Sequence, residues 1–382
     1  MESFSNDPPF NPVRARLYSS RELLTGFVAS DPDSITRTPD FLSYIYFERQ
    51  GRTIITDPYT GMMEAVHDAS ISRGLHQFLT DHGRPPVAIM GGHAEPRNSQ
   101  TYADVVLIAK KLSEEGFVVA SGGGPGCMEA THLGALLAGR SNSDVAAALA
   151  QLAPQATLPK DLKDVFLFDV LTQTWKISTA KAREMHAWAL PAVQLAEQLS
   201  RDVTDANYSL AIPTWHYGHE PLSPFATHVA KYFLNSIRED VLLAIAKNGI
   251  IFTKGRSGTL QEVFQDAAQN YYRDKKANEP FSPMIFFNTS FWANSPSHVC
   301  DPDPKNSKLP VKELLHSLFV CTGNSSEVEF EKYVCFSDDV DWVVRHLIEC
   351  LPKGQKRGAA ELEVVATGRQ DLVSLVRKLS LR

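Results

Sequence analysis

The sequence has few of the features that mark membrane, secreted or nucleic-acid-binding proteins. No apolar run approaches the roughly 18 residues that a membrane-spanning helix requires, and the N-terminal stretch lacks the basic flank and apolar core of a signal peptide. Lysine and arginine form no block, and the formal net charge is -6, which argues against a polynucleotide partner. These absences predict a soluble cytoplasmic protein that binds neither a membrane nor a nucleic acid polymer.

Cysteine is scarce and irregularly placed. The 5 cysteines are odd in number and show no Cys-x-x-Cys spacing, so we expect reduced thiols rather than a disulfide framework or a zinc site. His216 and His219 form a His-x-x-His pair, but the sequence places no third metal ligand near them. We therefore expect no metal site.

The sequence does contain the pattern of a globular α/β protein. It is 43% hydrophobic and 21% charged, which is ordinary for a chain of 382 residues with a sizeable core. Val87–Met90 and Phe117–Ala120 are short apolar runs typical of buried strands, and apolar residues recur at helical spacing between them. Strand, helix and strand at this distance predict a βαβ unit with parallel pairing. Further strands are expected at Leu210–Pro213, Ile250–Phe252, Met284–Phe287 and Tyr333–Phe336.

Strands that alternate with helices along the chain predict the fold class. It is α/β, a Rossmann-like doubly wound parallel sheet with helices on both faces, plus an N-terminal extension. We expect residues 1–80 to form that extension as a cap or dimer contact, and 81–352 to form the main domain. Residues 140–208 are expected to be a long insertion in the main domain, and 353–382 a tail with an amphipathic helix.

Local patterns predict four more elements. Phe41–Phe47 is aromatic and strand-like, and Val165–Val170 also has the composition of a strand. Lys176–Leu199 reads as a helix interrupted at Pro191, and Thr227–Ala246 reads as a helix that leads to the strand at residue 250.

A glycine-rich turn follows the second predicted strand. Gly122, Gly123, Gly124 and Gly126 surround Pro125, and a helical pattern begins directly afterwards. Glycines let the backbone approach a ligand closely, and a helix N-terminus favours an anion. The spacing matches neither the GxGxxG of dinucleotide binding nor a Walker loop. An anion-binding turn and a tight turn without a ligand both stay open.

A second strand, glycine turn and helix lie near residue 255. The turn holds Gly255 and Gly258, the helix is predicted from Thr259, and Glu262 follows one turn later. Thr259-Leu-Gln-Glu262 fits a capping box, in which the glutamate bonds back to the cap. The alternative is a carboxylate that the helix N-terminus keeps ionised, as glycoside cleavage requires.

Three other polar residues each have a structural and a functional interpretation. Glu129 either complements a helix dipole or contacts a ligand hydroxyl. Arg238 is either a solvated surface residue or part of the site. His93, just after a glycine pair at a strand end, is a candidate for contact with a ligand.

With these motifs, the chain resembles the Lonely Guy superfamily, often called lysine decarboxylase-like, and within it the nucleotide monophosphate nucleosidase branch. That family has Gly-Gly-His after its first strand, Gly-x-Gly-Pro-Gly-x-Met-Glu-Ala, a Glu-Pro-x-x-Pro loop, a following arginine, and Pro-Gly-Gly-x-Gly-Thr-x-x-Glu. The matching residues are Gly91–His93, Gly122–Ala130, Glu220–Pro224, Arg238 and Lys254–Glu262, within a resemblance that covers residues 86–351. The last motif departs from the family at Lys254, where proline is usual, and at Arg256, where the second glycine is usual.

The resemblance implies a specific reaction. A nucleoside 5′-monophosphate such as AMP is hydrolysed at its N-glycosidic bond to free base and ribose 5-phosphate, by a homodimer or higher homo-oligomer that needs no metal or organic cofactor. Arg238 and Glu262 are the implied catalytic pair, and the glycine turns hold the phosphate. The implied substrate-binding residues are Gly91, Gly92, His93, Gly122, Gly123, Gly124, Gly126, Met128, Glu129, Gly255, Arg256, Ser257, Gly258 and Thr259.

Two other functions stay open. Arg256 in place of glycine fits a nucleotide-binding sensor that keeps the cleft but has lost efficient hydrolysis. The long 140–208 segment fits a phosphoribohydrolase with a reshaped base pocket, acting on modified adenine nucleotides of the cytokinin type. No pattern in the sequence supports a pyridoxal-binding lysine, so lysine decarboxylation is not expected.

Overall fold

A computed structural model describes residues 7–55, 57–277, 279–292 and 308–352. Its strands are β1 Pro86–Met90, β2 Val118–Ser121, β3 Phe166–Asp169, β4 Thr174–Ile177, β5 Ser209–Ala211, β6 His228–Val229, β7 Ile250–Phe252, β8 Met284–Phe286 and β9 Val334–Phe336. Its helices are α1 Ser20–Leu23, α2 Pro39–Arg49, α3 Pro58–His82, α4 Gln100–Glu114, α5 Cys127–Leu136, α6 Asn142–Leu152, α7 Thr179–Leu199, α8 Asn235–Ile245, α9 Ser257–Tyr271, α10 Thr289–Trp292, α11 Lys312–His316, α12 Glu327–Tyr333 and α13 Val340–Cys350.

The main sheet has 7 strands in the order β6-β5-β2-β1-β7-β8-β9. All of its neighbouring strands pair in parallel. Helices cover both faces, so the predicted Rossmann-like doubly wound α/β fold is confirmed. The first crossover is the predicted βαβ unit, in which α4 connects β1 to β2.

Each central strand is buried on both sides. In β1, Val87 and Ile89 belong to one buried apolar cluster, whereas Ala88 and Met90 belong to the cluster on the opposite face. Successive side chains of a strand point to opposite faces, so a strand between two helix layers needs apolar residues at every position. This is why short continuous apolar runs marked the strands in the sequence.

The aromatic segment Phe41–Phe47 is helical, so its predicted strand is wrong. The Thr38 hydroxyl accepts a hydrogen bond from the Phe41 N–H at 3.3 Å, and Pro39 occupies the first turn of α2. Both are strong signals for the start of a helix. Residues from Phe41 to Phe47 are buried almost all round, which removes the polar stripe that would reveal a helical period.

The N-terminal segment packs onto one edge of the sheet. The Tyr18 N–H donates to the Val229 carbonyl at 3.0 Å, which pairs the segment with edge strand β6. Further along, Asp40 accepts hydrogen bonds from Trp215 Nε1 at 3.0 Å and from Lys231 Nζ at 2.6 Å. The segment therefore shields the open backbone groups of an edge strand, which otherwise invite pairing with another chain.

Three other predicted elements differ from the structure. The predicted strand at Val165–Val170 exists as β3, but it pairs antiparallel with β4 in a separate two-stranded sheet. The predicted helix Thr227–Ala246 begins only at Asn235, because its first residues form β6. Helix α7 runs through Pro191 without a break. Sheet membership and edge pairing depend on distant partners, which local patterns do not contain.

The described residues contain neither a membrane-spanning helix nor a cluster of metal ligands. None of their helices is long and apolar enough to cross a membrane, and none of their His, Cys, Asp and Glu side chains form a group of three or more that could hold a metal ion. The predicted amphipathic helix of the tail lies outside the described residues.

Candidate functional site

The three predicted glycine motifs meet at the carboxyl ends of the central strands β1, β2 and β7. The strand order reverses between β1 and β7, and in such sheets ligands bind at this point, beyond the carboxyl ends of the strands. Gly92 follows β1 and links the other two motifs, because its N–H donates to the Lys254 carbonyl at 3.1 Å and its carbonyl accepts from the Cys127 N–H at 3.3 Å. The structure thus brings segments from β1, β2 and β7 into contact.

Two glycines of the turn after β2 are required by close packing. A Cβ on Gly122 would collide with the Arg238 guanidinium and with Met128 Sδ. Gly126 has φ of +67 and lies against the Gly92 carbonyl, so a side chain there would be both strained and obstructed. The turn is therefore built to let Arg238 and the β1 motif approach its backbone.

Helix α9 starts earlier than predicted, which removes the proposed capping box. The helix begins at Ser257, and Arg256 is its N-cap residue without a side-chain cap hydrogen bond. Thr259 lies in the first turn and is buried against Gly255, whereas Ser257 and Gly258 are exposed. Since Thr259 is not the cap residue, the spacing that a capping box needs does not exist, and Glu262 has no capping role.

Arg238 and Glu262 form a buried pair beside the glycine turn. Arg238 Nη1 lies 3.6 Å from Glu262 Oε1, and their side chains are only 11% and 15% exposed. The guanidinium is oriented by a hydrogen bond of 2.8 Å from Nε to the Ile212 carbonyl. Burial raises the pKa of Glu262 to about 7, although Arg238 favours the charged form. Burial outweighs the expected stabilisation of the carboxylate by the helix N-terminus.

A second carboxyl of the site was not among the predicted site residues. Glu220 Oε1 lies 3.8 Å from His93 Nδ1. Burial raises the pKa of Glu220, and both His93 and Arg238 oppose this shift. The neighbouring His219 is also affected by burial, which lowers its pKa to about 4. The Glu-Pro-x-x-Pro sequence after a strand was the signal that could have identified Glu220.

An open cleft of about 830 Å³ lies next to these residues. Its wall includes Gly92, His93, Glu220, Gly255 and Arg256 from the motifs, and residues 157–163 from the long insertion. The cleft is lined by four lysine or arginine side chains, which are Lys160, Lys163, Lys254 and Arg256, and by three carboxyls, which are Glu95, Asp161 and Glu220. Lys254 is paired with Glu95, whose Oε1 lies 3.3 Å from Lys254 Nζ, so the cleft carries a small excess of positive charge, which is compatible with an anionic ligand.

Arg238 and Glu262 are not among the residues that line this cleft. Both side chains are mostly buried, and the Arg238 guanidinium lies against Gly122 of the turn after β2. Met128 packs over the same turn, with its side chain close to Gly122 and Gly124. The implied catalytic pair is thus buried beside the glycine turn and does not line the cleft.

Glu129 has a different place from the one that the resemblance implies. It is fully buried, and its two carboxylate oxygens accept hydrogen bonds from Arg97 at 2.7 and 2.8 Å. The Tyr102 hydroxyl donates to it at 2.8 Å, and Arg97 Nη1 donates to the Trp188 carbonyl. With both oxygens in use, Glu129 ties α5 to the segment before α4 and to α7.

Comparison with known proteins does not assign the chain to a family. No protein-family model matches the chain, and no curated protein matches it significantly. The chain is therefore classified by its fold, as a Rossmann-like doubly wound α/β protein with a candidate anion-binding cleft at the switch point of its sheet.

Proposed function

We propose that this protein hydrolyses the N-glycosidic bond of nucleoside 5′-monophosphates and releases free base and ribose 5-phosphate. The observation that carries the proposal is the meeting of two glycine turns and the Arg238–Glu262 pair at the sheet's switch point. Glycine turns at helix N-termini suit a phosphate. A buried carboxyl with an arginine partner suits a reaction that develops positive charge on a sugar.

The phosphate subsite is assigned to the turn between β7 and α9. The first turn of α9 has no side-chain cap, so its backbone N–H groups and the helix dipole are directed at the space above Ser257. Arg256 adds positive charge at the cleft wall, whereas the charge of Lys254 is offset by Glu95, whose Oε1 lies 3.3 Å from Lys254 Nζ. Arg256 replaces a glycine of the family motif without backbone strain, because its φ is -120. We infer that its side chain contributes a phosphate contact rather than blocking one.

The chemistry is assigned to Glu262 and Arg238. In its ionised form, Glu262 accepts a proton from the water that attacks the sugar carbon. Arg238, at 3.6 Å, supports that ionised form and holds its orientation. For this role, substrate must reach the pair past the turn at Gly122, which Arg238 itself contacts.

The proposal is tested by incubating the protein with a panel of nucleoside 5′-monophosphates. Chromatography measures free base, and an enzymatic assay measures ribose 5-phosphate. Equal amounts of both products from at least one nucleotide are the expected result. The panel includes a cytokinin-type modified adenine nucleotide, because residues 157–163 line the cleft and set its shape. Preference for that nucleotide would select the phosphoribohydrolase.

A nucleotide-binding sensor is the second candidate. It is favoured by the position of Arg238 and Glu262, which are mostly buried and do not line the cleft. Tight binding of a nucleotide without release of base would select the sensor and reject the hydrolase. Assembly as a homodimer and a cytoplasmic location stay predictions, and sedimentation measures the first of them.

A further inference from the structure

Glu220 occupies a fixed place in the cleft wall. Its loop is held by two backbone hydrogen bonds, from the Glu220 N–H to the Tyr217 carbonyl at 2.8 Å and from the Ser223 N–H to the Gly123 carbonyl at 2.9 Å. The second bond ties the loop to the glycine turn after β2. Glu220 Oε2 lies 3.4 Å from the position that a Cβ would occupy on Gly124. The absence of a side chain at that glycine therefore leaves room for the carboxyl.

The surroundings of this carboxyl differ from those of Glu262. Its nearest basic group is His93 Nδ1 at 3.8 Å, and within the described part of the chain no group donates a hydrogen bond to it. Glu262 instead has the arginine at 3.6 Å as its direct partner. Burial raises the pKa of both carboxyls. Of the two, Glu220 is the one that lines the cleft.

Cleavage of an N-glycosidic bond needs an acid as well as a base. When the bond breaks, its electron pair goes to a ring nitrogen of the base, and a purine departs readily only if another ring nitrogen is protonated. Sites that cleave glycosides meet this need with two carboxyls whose environments differ. The acid must reach the base through the open cleft, and Glu220 faces that cleft.

We propose that Glu220 is the general acid that protonates the leaving base. This role rests on the proposed nucleosidase function. The C1′–N bond breaks with its electron pair moving to the base, and the Glu220 proton goes to the base ring. Water adds to C1′ and gives a proton to Glu262. Glu262 then loses this proton to solvent while Glu220 regains one, so the net reaction consumes one water.

The test compares two leaving groups in Glu220→Gln. AMP needs a protonated base, whereas 4-nitrophenyl riboside 5-phosphate releases a stable phenolate without an acid. We expect kcat for AMP to fall about 100-fold or more and kcat for the nitrophenyl substrate to stay within about threefold of wild type. Glu197→Gln, an exposed change of the same chemistry on α7, is the matched control and should alter neither rate.

Three outcomes overturn the proposal in distinguishable ways. Equal losses on both substrates would indicate a structural role for Glu220, and an unchanged rate on AMP would exclude it from the reaction. If the wild type cleaves neither substrate, the proposed function itself fails. Should Glu220→Gln not fold by circular dichroism, Glu220→Asp replaces it and is expected to show the same selective loss on AMP, of smaller size.

Discussion

At the scale of single residues, Glu262 determines the proposed reaction. Its carboxyl is mostly buried, and its pKa is raised to about 7 by that burial. A general base works best when its pKa lies near the operating pH. Glu262 caps no helix. The contribution we assign to it in the proposed reaction therefore depends on its charge and on its position beside Arg238.

The change Glu262→Gln removes the charge and keeps the shape of the side chain. We expect kcat for the best nucleotide to fall by about 100-fold or more. The melting temperature should stay unchanged, because burial already raises the pKa of Glu262 and so disfavours the charge that the change removes. Steady-state kinetics and thermal unfolding measure the two effects. Glu197→Gln is again the control. Full activity in Glu262→Gln would remove this carboxyl from the mechanism.

At the scale of elements, the turn between β7 and α9 is the irregular part of the site. Arg256 is exposed at the cleft wall and is the N-cap residue of α9. A charge-assisted hydrogen bond to a phosphate contributes about 1.5–3 kcal/mol, which corresponds to a tenfold change in affinity or more. We therefore propose that the turn binds phosphate through its arginine as well as through its backbone.

The change Arg256→Ala is expected to raise KM for the nucleotide about tenfold or more, with a smaller change in kcat, because the phosphate is bound in both the ground state and the transition state. Steady-state kinetics with AMP measures both constants. Arg201→Ala, an exposed arginine after α7, serves as the control. A lower KM in Arg256→Ala would mean that this arginine obstructs the site.

Elements with a strong local pattern were predictable from the sequence. Strands β1, β2 and β7 are continuous apolar runs followed by glycine, so their positions and their approach to one cleft followed from the pattern. Helix α2 was mistaken for a strand because its segment Phe41–Phe47 is aromatic and buried almost all round. The wall at residues 157–163 has no local signal, since only the folded chain brings the insertion to the cleft.

Within the site, the sequence was informative about residue types and less so about their surroundings. Arg238 and Glu262, the implied catalytic pair, lie 3.6 Å apart, and their catalytic role stays a prediction. Glu129 lies in a motif that the sequence matches at every defined position, yet its carboxylate is buried in an ion pair with Arg97. Which carboxyl faces the cleft depends on where chain segments pack, and this is not encoded in spacing.

At the scale of the whole molecule, the protein buries carboxyl groups that have no oppositely charged partner among the described residues. Glu64 on α3 is 2% exposed, and neither of its carboxyl oxygens has a hydrogen-bond partner in the described part of the chain. Burial, with a contribution from Asp68, raises its pKa to about 8. Asp266 on α9 is likewise raised to about 8 by burial. The folded state therefore holds protons that the unfolded state releases.

For these carboxyls, linkage predicts a contribution to stability that falls as pH rises from about 5 to about 8. Buried histidines whose pKa is lowered, such as His219 and His228, oppose this fall below pH 6.5, the ordinary histidine pKa, so we expect the net fall above that pH. A raised pKa in the folded state gives full stability below the unfolded pKa, and that stability is lost as pH approaches the folded pKa. Each such group contributes at most about 1.4 kcal/mol per pH unit. Denaturant unfolding at several pH values measures the slope. Glu64→Gln should have a shallower slope than wild type or the Glu197→Gln control, and parallel slopes would show that Glu64 ionises normally.

The central claim is that the cleft at the β1–β7 switch point breaks an N-glycosidic bond in a nucleoside monophosphate. The most direct measurement is the release of adenine and ribose 5-phosphate from AMP by the wild-type chain, alongside adenosine as the substrate without phosphate. We expect both products in equal amounts from AMP, and far slower cleavage of adenosine, because adenosine lacks the phosphate that we propose the glycine turns bind. Intact AMP after prolonged incubation, with AMP bound to the protein, would contradict the claim.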